Sequence, residues 1–252
     1  MRAGYNEGDA VLFTRSFNTI TKGDVVYFQY PLLDSIGVPA MLIQRVVGLP
    51  GDSLEISNDS VYVNNELLQL DASLQHNYFV KAKCTLDSLS LQQWGLTEGG
   101  RVSDENDYSF SLTDSQVVQL RRQPDITKLE LRSEKAGAYD ESCFPFKSSY
   151  PWNNHYYGKL YLPKHGDTLQ LDTANLALYQ LLITQHEKNK LVVQGDSILI
   201  NGSYATNYVV KKDYYFVLGD NRSNANDSRN WGYLPGNLIK GEVRWILRKK
   251  KR

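Results

Sequence analysis

The dipeptide Gly-Asp recurs along the chain, and at five of its positions a run typical of a β-strand follows. These positions are 8–9, 23–24, 51–52, 166–167 and 195–196. Glycine supplies a positive φ in a turn, and an aspartate side chain can hydrogen-bond its own turn. The runs that follow are rich in β-branched and aromatic residues, and several of them alternate with a period of two. This pattern predicts a mainly β protein with short strands and tight turns.

Two segments have helical rather than strand periodicity. The segment Leu112 to Arg122 is predicted to form a short helix with Thr113 or Asp114 as its N-cap. The segment Thr173 to Lys188 is predicted to form a second helix, because its apolar residues fall on one face.

The middle of the sequence separates two stretches of strong β pattern. Residues from about 66 to 165 are more polar and less periodic, and the β pattern returns at Leu191. We therefore predict a β core formed by residues 1–65 and 190–252. The expected insertion is a smaller α+β or β domain over residues 66–189.

The charge and the cysteine content argue against nucleic-acid binding, a disulfide framework and a zinc site. The formal net charge is +0, so charge over the whole chain does not favour nucleic-acid binding. The basic run Arg248 to Arg252 is either a solvated tail or a contact with anionic lipid headgroups. Two cysteines, Cys84 and Cys143, make neither a disulfide framework nor a zinc site, and whether they pair stays open.

The N-terminus is predicted to lie inside a domain. No apolar stretch approaches the roughly 20 residues of a membrane span, and no secretory signal peptide is present. The sequence instead leads from Gly8-Asp9 directly into Ala10-Val11-Leu12-Phe13. We therefore expect a further segment to precede Met1.

Two segments contain the candidate site. Leu42 to Asp52 reads LIQRVVGLPGD, which predicts a buried strand followed by a turn. Gly219 to Gly232 reads GDNRSNANDSRNWG, which predicts a long loop dense in hydrogen-bonding groups. Such groups need partners, so we expect ion pairs between carboxylates and guanidinium groups; the alternative is an Asx-rich hairpin loop. The candidate pairs are Asp227 with Arg229 and Asp220 with Arg45.

Together these segments resemble signal peptidase I, a family of membrane-anchored serine endopeptidases that remove signal peptides from exported proteins. The family patterns are Lys-Arg-x-x-Gly-x-Pro-Gly-Asp and Gly-Asp-Asn-Arg-x-x-Ser-x-Asp-Ser-Arg-x-Trp-Gly. The matching residues are Arg45, Gly48, Pro50, Gly51, Asp52, Gly219, Asp220, Asn221, Arg222, Asp227, Ser228, Arg229, Trp231 and Gly232. The resemblance implies a long-form member with a coiled antiparallel β-sheet core and with neither a metal nor a cofactor.

The resemblance also implies a Ser–Lys dyad, and this chain departs from it. Aligned on Gly8-Asp9, Met1 takes the methionine position of the Ser-Met block, so the nucleophile is expected just before Met1. Gln44 stands at the position of the general-base lysine, and Ala225 stands at that of the serine that orients the lysine. An amide cannot act as a general base near pH 7, so the active-site motifs are degenerate.

Other site residues follow from the resemblance. The structural frame comprises Arg45, Gly219, Asp220, Arg222, Asp227 and Arg229. An extended signal peptide with small side chains of the Ala-x-Ala type would bind in a substrate groove. The groove residues would be Met1, Tyr5, Leu42 and Ile43, which could equally be core or edge residues.

A histidine could in principle replace the missing base. The histidines are His76, His155, His165 and His186. We expect His186 near a helix end, where a cationic side chain suits the dipole, and we expect His165 to be exposed. Neither lies in a segment that matches the family's active site, so a histidine-based mechanism is the weaker hypothesis.

Two functions therefore compete. One is a serine endopeptidase that cleaves signal peptides with an unrecognised base. The other is a non-catalytic homologue that binds signal peptides or partners an active signal peptidase. In both cases the expected partners are signal peptides of exported preproteins and the membrane lipid surface, without nucleic acid. The expected location is the periplasmic face of the inner (plasma) membrane, with an N-terminal anchor that precedes this sequence.

Overall fold

The computed structural model describes residues 10–14, 19–32, 40–70 and 73–247. The strands are β1 (Ala10–Thr14), β2 (Val25–Gln29), β3 (Met41–Gly48), β4 (Ser53–Ser57), β5 (Ser60–Val63), β6 (Glu66–Leu67), β7 (Gln75–Ala82), β8 (Gly99–Arg101), β9 (Asp107–Thr113), β10 (Ile126–Leu131), β11 (Tyr156–Tyr161), β12 (Thr168–Gln170), β13 (Leu191–Gln194), β14 (Ser197–Ile200), β15 (Ser203–Tyr204), β16 (Asn207–Val209), β17 (Tyr214–Leu218), β18 (Leu234–Pro235) and β19 (Ile239–Leu247).

Helices are short and few in the described part of the chain. They are α1 (Ser88–Gln93), α2 (Asp114–Leu120), α3 (Leu176–Leu181) and α4 (Ser228–Trp231), with a π-helical turn at Leu182–His186 and a 3-10 turn at Gly236–Leu238. The prediction of a mainly β fold is confirmed. None of these helices is long and apolar enough to span a lipid bilayer.

The chain divides into two compact units. Among the described residues, the smaller unit comprises Leu70–Ser133 and Gly219–Ala225. The larger unit comprises the described part of 10–69, together with Glu134–Leu218 and 226–247.

A six-stranded sheet forms the centre of the larger unit. Its strand order is β1-β19-β2-β3-β17-β18, and all of the pairings are antiparallel. Fully or nearly fully buried side chains cover one part of this sheet and exclude water from it. They are Val26, Phe28, Val46, Val217, Trp231, Leu234 and Ile239.

Smaller sheets complete the larger unit. One has the order β11-β4-β5-β6, and the others are the pair β12-β16 and the hairpin sheet β13-β14-β15. Tyr156–Tyr161 pairs with Ser53–Ser57, which brings residues after 134 into the same unit as the N-terminal strands.

The smaller unit contains one four-stranded sheet with two helices. The strand order is β10-β7-β9-β8, and the whole of β9 pairs with β7 from Gln75 to Lys81. Alternate residues of these strands point to the same face. Their apolar residues pack against α1, α2 and the loops between them, and the buried members are Val80, Ala82, Leu86, Leu96, Tyr108, Phe110, Leu112, Val117 and Leu120.

The observed division differs from the predicted insertion at 66–189. Residues 134–218 belong to the larger unit, and Gly219–Ala225 belongs to the smaller one. The reason is strand pairing between distant segments, such as β11 with β4, which local periodicity does not report.

The helix predictions agree with the structure in part. Helix α2 lies within the predicted segment Leu112 to Arg122, with Thr113 as its N-cap in a complete capping box. The predicted helix Thr173 to Lys188 is shorter in the structure, because it begins at Leu176 and passes into the π-helical turn after Leu181.

Both cysteines are free thiols. Cys84 is exposed and lies in the smaller unit, whereas Cys143 is buried and lies in the larger unit. Burial, assisted by the neighbouring Asp140 carboxylate, raises the pKa of the Cys143 thiol to about 12. Cys143 is therefore a protonated core residue near neutral pH and not a reactive thiolate.

Candidate active site

Gln44 lies in the middle of β3, in the six-stranded sheet, opposite Val26 of β2. Its side chain is 7% exposed. The Nε2 atom donates a hydrogen bond of 2.8 Å to the backbone carbonyl of Asn226. The Oε1 atom is buried and has no hydrogen-bond partner among the described residues. A buried amide in this position can hold the chain in place, but it cannot take up a proton near neutral pH.

Arg45, the next residue of β3, points a buried guanidinium toward the turn before β2. Its Nη1 atom donates to the carbonyl of Gly23 at 2.7 Å. In the same turn Asp24 accepts hydrogen bonds from the amide and the hydroxyl of Thr21. Arg45 therefore joins β3 to the Gly-Asp turn that precedes β2.

The Pro-Gly-Asp turn after β3 is closed by the side chain of its aspartate. Asp52 accepts a hydrogen bond of 2.9 Å from the amide of Leu49, and Gly51 has a φ of +93°. Asn64 and Lys22 donate to the same carboxylate at 2.7 and 3.2 Å. The Asx-type turn chemistry read from the sequence is present here.

Asp227 and Arg229 form a buried ion pair with two parallel contacts. Arg229 Nε lies 2.9 Å from Asp227 Oδ1, and Arg229 Nη2 lies 2.8 Å from Asp227 Oδ2. Burial alone would lower the pKa of the guanidinium, but the Asp227 carboxylate outweighs it and raises that pKa above its usual value. The predicted pair Asp227–Arg229 is confirmed, and it is the bidentate form that favours arginine.

The same aspartate begins helix α4. Asp227 is the N-cap, and its carboxylate accepts from the amide of Arg229 at 3.1 Å, while Asn230 completes the capping box. Ser228, fully buried, accepts a hydrogen bond of 3.0 Å from the amide of Val217 in β17. The Asp-Ser-Arg segment thus attaches to the six-stranded sheet through hydrogen bonds as well as through Trp231 in the core.

The segment Gly219–Ala225 lies in the smaller unit. A Cβ atom added at Gly219 would collide with the side chain of Ala225, so this position requires glycine. Arg222 is buried, and its Nε atom donates to the carbonyl of Gly219 at 3.1 Å. The Asp220 carbonyl accepts a hydrogen bond from the amide of Gln75 at 2.8 Å.

Site residues predicted from the sequence fall in both units. Gln44 and Arg45 belong to the larger unit, and Ala225 and Asp220 belong to the smaller unit. The predicted pair Asp220–Arg45 therefore stays a prediction. The predicted assembly of the Gln44 and Ala225 positions also stays a prediction.

The predicted groove residues have different surroundings. Met1 and Tyr5 lie outside the described residues. Leu42 is half-buried and packs against the core of the six-stranded sheet, which supports its reading as a core residue. Ile43 is half-buried and pairs with Tyr27 across β2 and β3.

The histidine predictions have mixed outcomes. His165 is exposed, as predicted. His186 lies at a helix end, as predicted, because it is the last residue of the π-helical turn. Its ring is buried and neither nitrogen has a hydrogen-bond partner among the described residues, so this position does not favour a cationic side chain. Burial, followed by the charges of Lys212 and Lys188, lowers the pKa of His186 to about 4. His186 is therefore neutral near pH 7 and packs against Tyr214.

Sequence reasoning missed the partner of Gln44. The acceptor is the backbone carbonyl of Asn226, so the identity of the Asn226 side chain does not indicate this contact. It also missed Gln75, which holds Asp220 and Arg222 through backbone atoms. No local pattern distinguishes Gln75 from its neighbours, because the whole segment that follows residue 66 is polar and weakly periodic.

Comparisons with known proteins agree with these motifs. Signal peptidase I of Buchnera aphidicola (subsp. Baizongia pistaciae) is 24% identical over 234 residues, which cover 91% of this chain and 56% of that protein. Signal peptidase I of Aquifex aeolicus is 49% identical over 40 residues, which cover 16% of each chain. Thus this chain spans about half the length, or less, of these relatives.

A solved structure and a family profile complete the comparison. The crystal structure of a signal peptidase I from Enterococcus faecalis is 16% identical, with a TM-score of 0.32, and covers 91% of this chain and 100% of that chain. The family described as signal peptidase, peptidase S26, matches residues 1–117 and 164–248, which is most of the sequence. The chain therefore belongs to the signal peptidase family, peptidase S26.

Proposed function

We propose that this chain is a signal peptidase I-like protein of the secretory pathway that binds signal peptides without cleaving them. The observation that carries the proposal is the hydrogen bond from Gln44 Nε2 to the carbonyl of Asn226. This hydrogen bond gives the residue at the general-base position a structural role. The amide of Gln44 has no titratable group, so it cannot replace the lysine.

The family's reaction requires a base at this point. A serine hydroxyl attacks the scissile carbonyl of the signal peptide while a neutral lysine takes its proton, and the same group later protonates the leaving amine. Gln44 can do neither of these steps. This argument does not depend on the identity of the nucleophile.

A second substitution in the family's motifs supports the same interpretation. Ala225 provides no hydroxyl at the position where the family orients its lysine, whereas the ion pair of Asp227 with Arg229 is intact. Loss of the base together with its orienting hydroxyl, within a retained scaffold, is expected of a non-catalytic homologue.

A homologue can lose catalysis and still bind peptides, because binding uses strand edges and apolar pockets and not the catalytic side chains. An extended peptide pairs with strand edges through backbone hydrogen bonds, and small side chains fit shallow apolar pockets. We propose that preproteins with Ala-x-Ala segments are the ligands, and that an active signal peptidase is a second partner. The proposed site of action is the periplasmic face of the inner membrane, at the lipid surface.

The direct test is cleavage of a preprotein with an Ala-x-Ala site by the full-length protein in detergent. The matched variant is Gln44→Lys with Ala225→Ser. We expect no product from the native protein. Product from the variant would show that only the catalytic groups were lost.

A binding assay tests the proposed peptide ligand separately from the proposed absence of cleavage. A fluorescent peptide with an Ala-x-Ala segment should bind the native protein, and a peptide with leucine at both alanine positions should bind more weakly. Cleavage of the preprotein by the native chain would overturn the non-catalytic assignment. Equal affinity for the two peptides would overturn the proposed ligand.

A further inference from the structure

The three-stranded sheet β13-β14-β15 has an apolar row that is open to solvent. Val192 lies opposite Leu199, and Leu199 lies opposite Tyr204, so the row crosses all three strands. Residues opposite one another in an antiparallel pair point to the same face of the sheet. Val192 is 38% exposed and Leu199 is half-buried. Tyr204 is 77% exposed, more than any other large apolar side chain in the described part of the chain.

The other face of this sheet is turned to the protein interior. Ile198, the residue before Leu199 in β14, is 4% exposed. Because successive strand residues point to opposite faces, Leu199 and the rest of the apolar row lie on the outer face. An antiparallel sheet that is buried on one face usually has polar residues on the other. Adjacent apolar residues on an exposed face instead mark an interaction surface.

Lys190 lies beside the apolar row. Its carbonyl accepts a hydrogen bond of 2.8 Å from the amide of Asn201, which extends the pairing of β13 with β14 by one residue. Lys190 is two positions before Val192, so the two side chains point to the same face. The Lys190 side chain is exposed and forms no ion pair with any described carboxylate. An unpaired ammonium group therefore borders the row.

Three more lysines lie at the same end of the sheet. Lys188 is exposed, two residues before Lys190. Lys212 Nζ donates to the carbonyl of His186 at 2.7 Å, and the amide of Lys211 donates to the carboxylate of the next residue along, Glu187, at 2.9 Å. These contacts bring the second pair of lysines beside the first.

Carboxylates do not cancel this positive charge at the surface. Glu187 is buried and accepts hydrogen bonds from two tyrosine hydroxyls. Asp196 lies in the turn that joins β13 to β14, at the opposite end of the sheet from Lys190. Asp213 is exposed and accepts a backbone amide at 2.9 Å. Within residues 186–213, four lysines therefore lie at this end of the sheet with one exposed aspartate.

We propose that the outer face of β13-β14-β15 binds a bilayer surface that carries anionic headgroups. The apolar row enters the headgroup region, while Lys188 and Lys190 lie against lipid phosphates. Tyr204 suits this boundary because its ring is apolar and its hydroxyl is polar. The inference rests on the lipid surface proposed above as the site of action, and it names the face of the chain that makes the contact.

Both the apolar row and the lysines are needed to select a bilayer. Cations alone would suit the phosphates of nucleic acid equally well, since those contacts are electrostatic and independent of sequence. The side chains of Val192 and Leu199 gain free energy only where apolar surface leaves water. An anionic bilayer offers both a negative surface and an apolar layer beneath it.

The test is sedimentation of the 252-residue chain with phosphatidylcholine vesicles, with and without about 30% phosphatidylglycerol. The apolar variant is Val192→Ser with Tyr204→Ser. Its matched control is Leu89→Ser with Val118→Ser, because these side chains of the smaller unit are 62% and 49% exposed. The replaced side chains are exposed in both proteins, so their melting temperatures should agree.

The cationic variant is Lys188→Gln with Lys190→Gln. Its matched control is Lys83→Gln with Arg121→Gln, which removes the same charge from exposed positions of the smaller unit. The basic run 248–252 stays in every protein, so any contribution from it is the same in all of them.

We expect vesicles with phosphatidylglycerol to sediment the native chain, and salt to weaken the binding. The partition coefficient should fall about tenfold in the apolar variant and about thirtyfold in the cationic variant, because each lysine near an anionic surface contributes about fivefold. Tyr204→Trp should bind at least as tightly as the native chain, since tryptophan also favours the interface. Both controls should keep native binding. Equal binding by each variant and its control would overturn the proposal.

Two further outcomes are distinguishable from these. A dimer in the absence of vesicles, measured by light scattering and lost in the apolar variant, would assign the row to a second copy of the chain and overturn the proposal. Peptide binding is measured separately. Its absence overturns the proposed peptide ligand alone, whereas peptide binding without vesicle binding overturns the lipid-binding face alone.

Discussion

The side-chain amide of Gln44 donates a hydrogen bond of 2.8 Å to the carbonyl of Asn226, a residue 182 positions later in the chain. Trp231 Nε1 approaches the same carbonyl at 3.5 Å. Gln44, which the resemblance places at the family's general-base position, therefore attaches the start of the Asp-Ser-Arg segment to β3.

The first prediction concerns a lysine at this position. In Gln44→Lys an amine replaces a side chain that is 7% exposed, and burial lowers the pKa of an amine below its usual value of about 10.4. Between the lowered pKa and about 10.4, the unfolded chain binds the proton that the folded chain has lost, so the free energy of unfolding rises with pH. Urea unfolding at pH 7, 8.5 and 10 measures this rise.

Gln44→Met is the control for that prediction. It loses the bond to Asn226 but also removes the buried Oε1 atom, so its stability should lie within about 1 kcal/mol of the native chain. Its difference from the native chain should not vary with pH. A Gln44→Lys variant that follows the Met variant at every pH would contradict a buried amine.

A second prediction concerns the buried pair of Asp227 and Arg229. Asp227→Asn keeps a capping side chain for α4 but leaves the guanidinium buried without its carboxylate, which should cost about 3–5 kcal/mol. Arg229→Met should cost a similar amount for the opposite reason. The double variant should be more stable than the sum of the single losses predicts, and urea unfolding of the four proteins measures the coupling. Additive losses would show that the pair contributes no coupling.

A third prediction concerns the cap of α2. Thr113 accepts from the amide of Gln116, and Gln116 Oε1 accepts from the amide of Thr113 at 2.9 Å. Thr113→Ala should destabilise the helix by about 1 kcal/mol. Asp114→Ala, in the first turn, loses only a dipole contact and should cost about 0.3–1 kcal/mol. Native-state hydrogen exchange at Val117 and Leu120 measures both changes, and a larger effect from Asp114→Ala would contradict the assignment of the cap.

Features with a local cause could be predicted from the sequence. The turn closed by Asp52, the cap at Thr113 and the alternating strands depend on residues within a few positions of one another. The ion pair of Asp227 with Arg229 also lies within one turn of chain. In each case the side chain that the sequence pattern identifies is also the one that forms the stabilising hydrogen bond or ion pair.

Features that depend on distant pairing could not be predicted. Tyr156–Tyr161 joins the larger unit because it pairs with β4, about a hundred residues earlier, and its own periodicity is equally compatible with the inserted domain. The bond of Gln44 to Asn226 uses a backbone carbonyl, which every residue has. The helical pattern correctly placed His186 at a helix end, but its burial follows from packing against Tyr214, which local periodicity does not report.

The ring of His186 is buried, and within the described part of the chain neither of its nitrogens has a hydrogen-bond partner. Its ring centroid lies 5.7 Å from that of Tyr214, in a stacked arrangement. Lys212 Nζ donates to the carbonyl of His186 at 2.7 Å, so a positive charge lies beside the ring. Both the burial and this charge oppose protonation of the imidazole.

The stability of the larger unit should consequently fall in mild acid. The unfolded chain protonates His186 below about pH 6.5, whereas the folded chain resists until about pH 4. Stability is therefore fully present above pH 6.5 and decreases as the pH falls toward 4, by about 3 kcal/mol in all. His186→Phe keeps the ring contact and should remove this component, while His165→Gln, an exposed control, should retain it. Urea midpoints at pH 7 and 4.5 give the test, and equal acid losses in the native and His186→Phe proteins would show that another group is responsible.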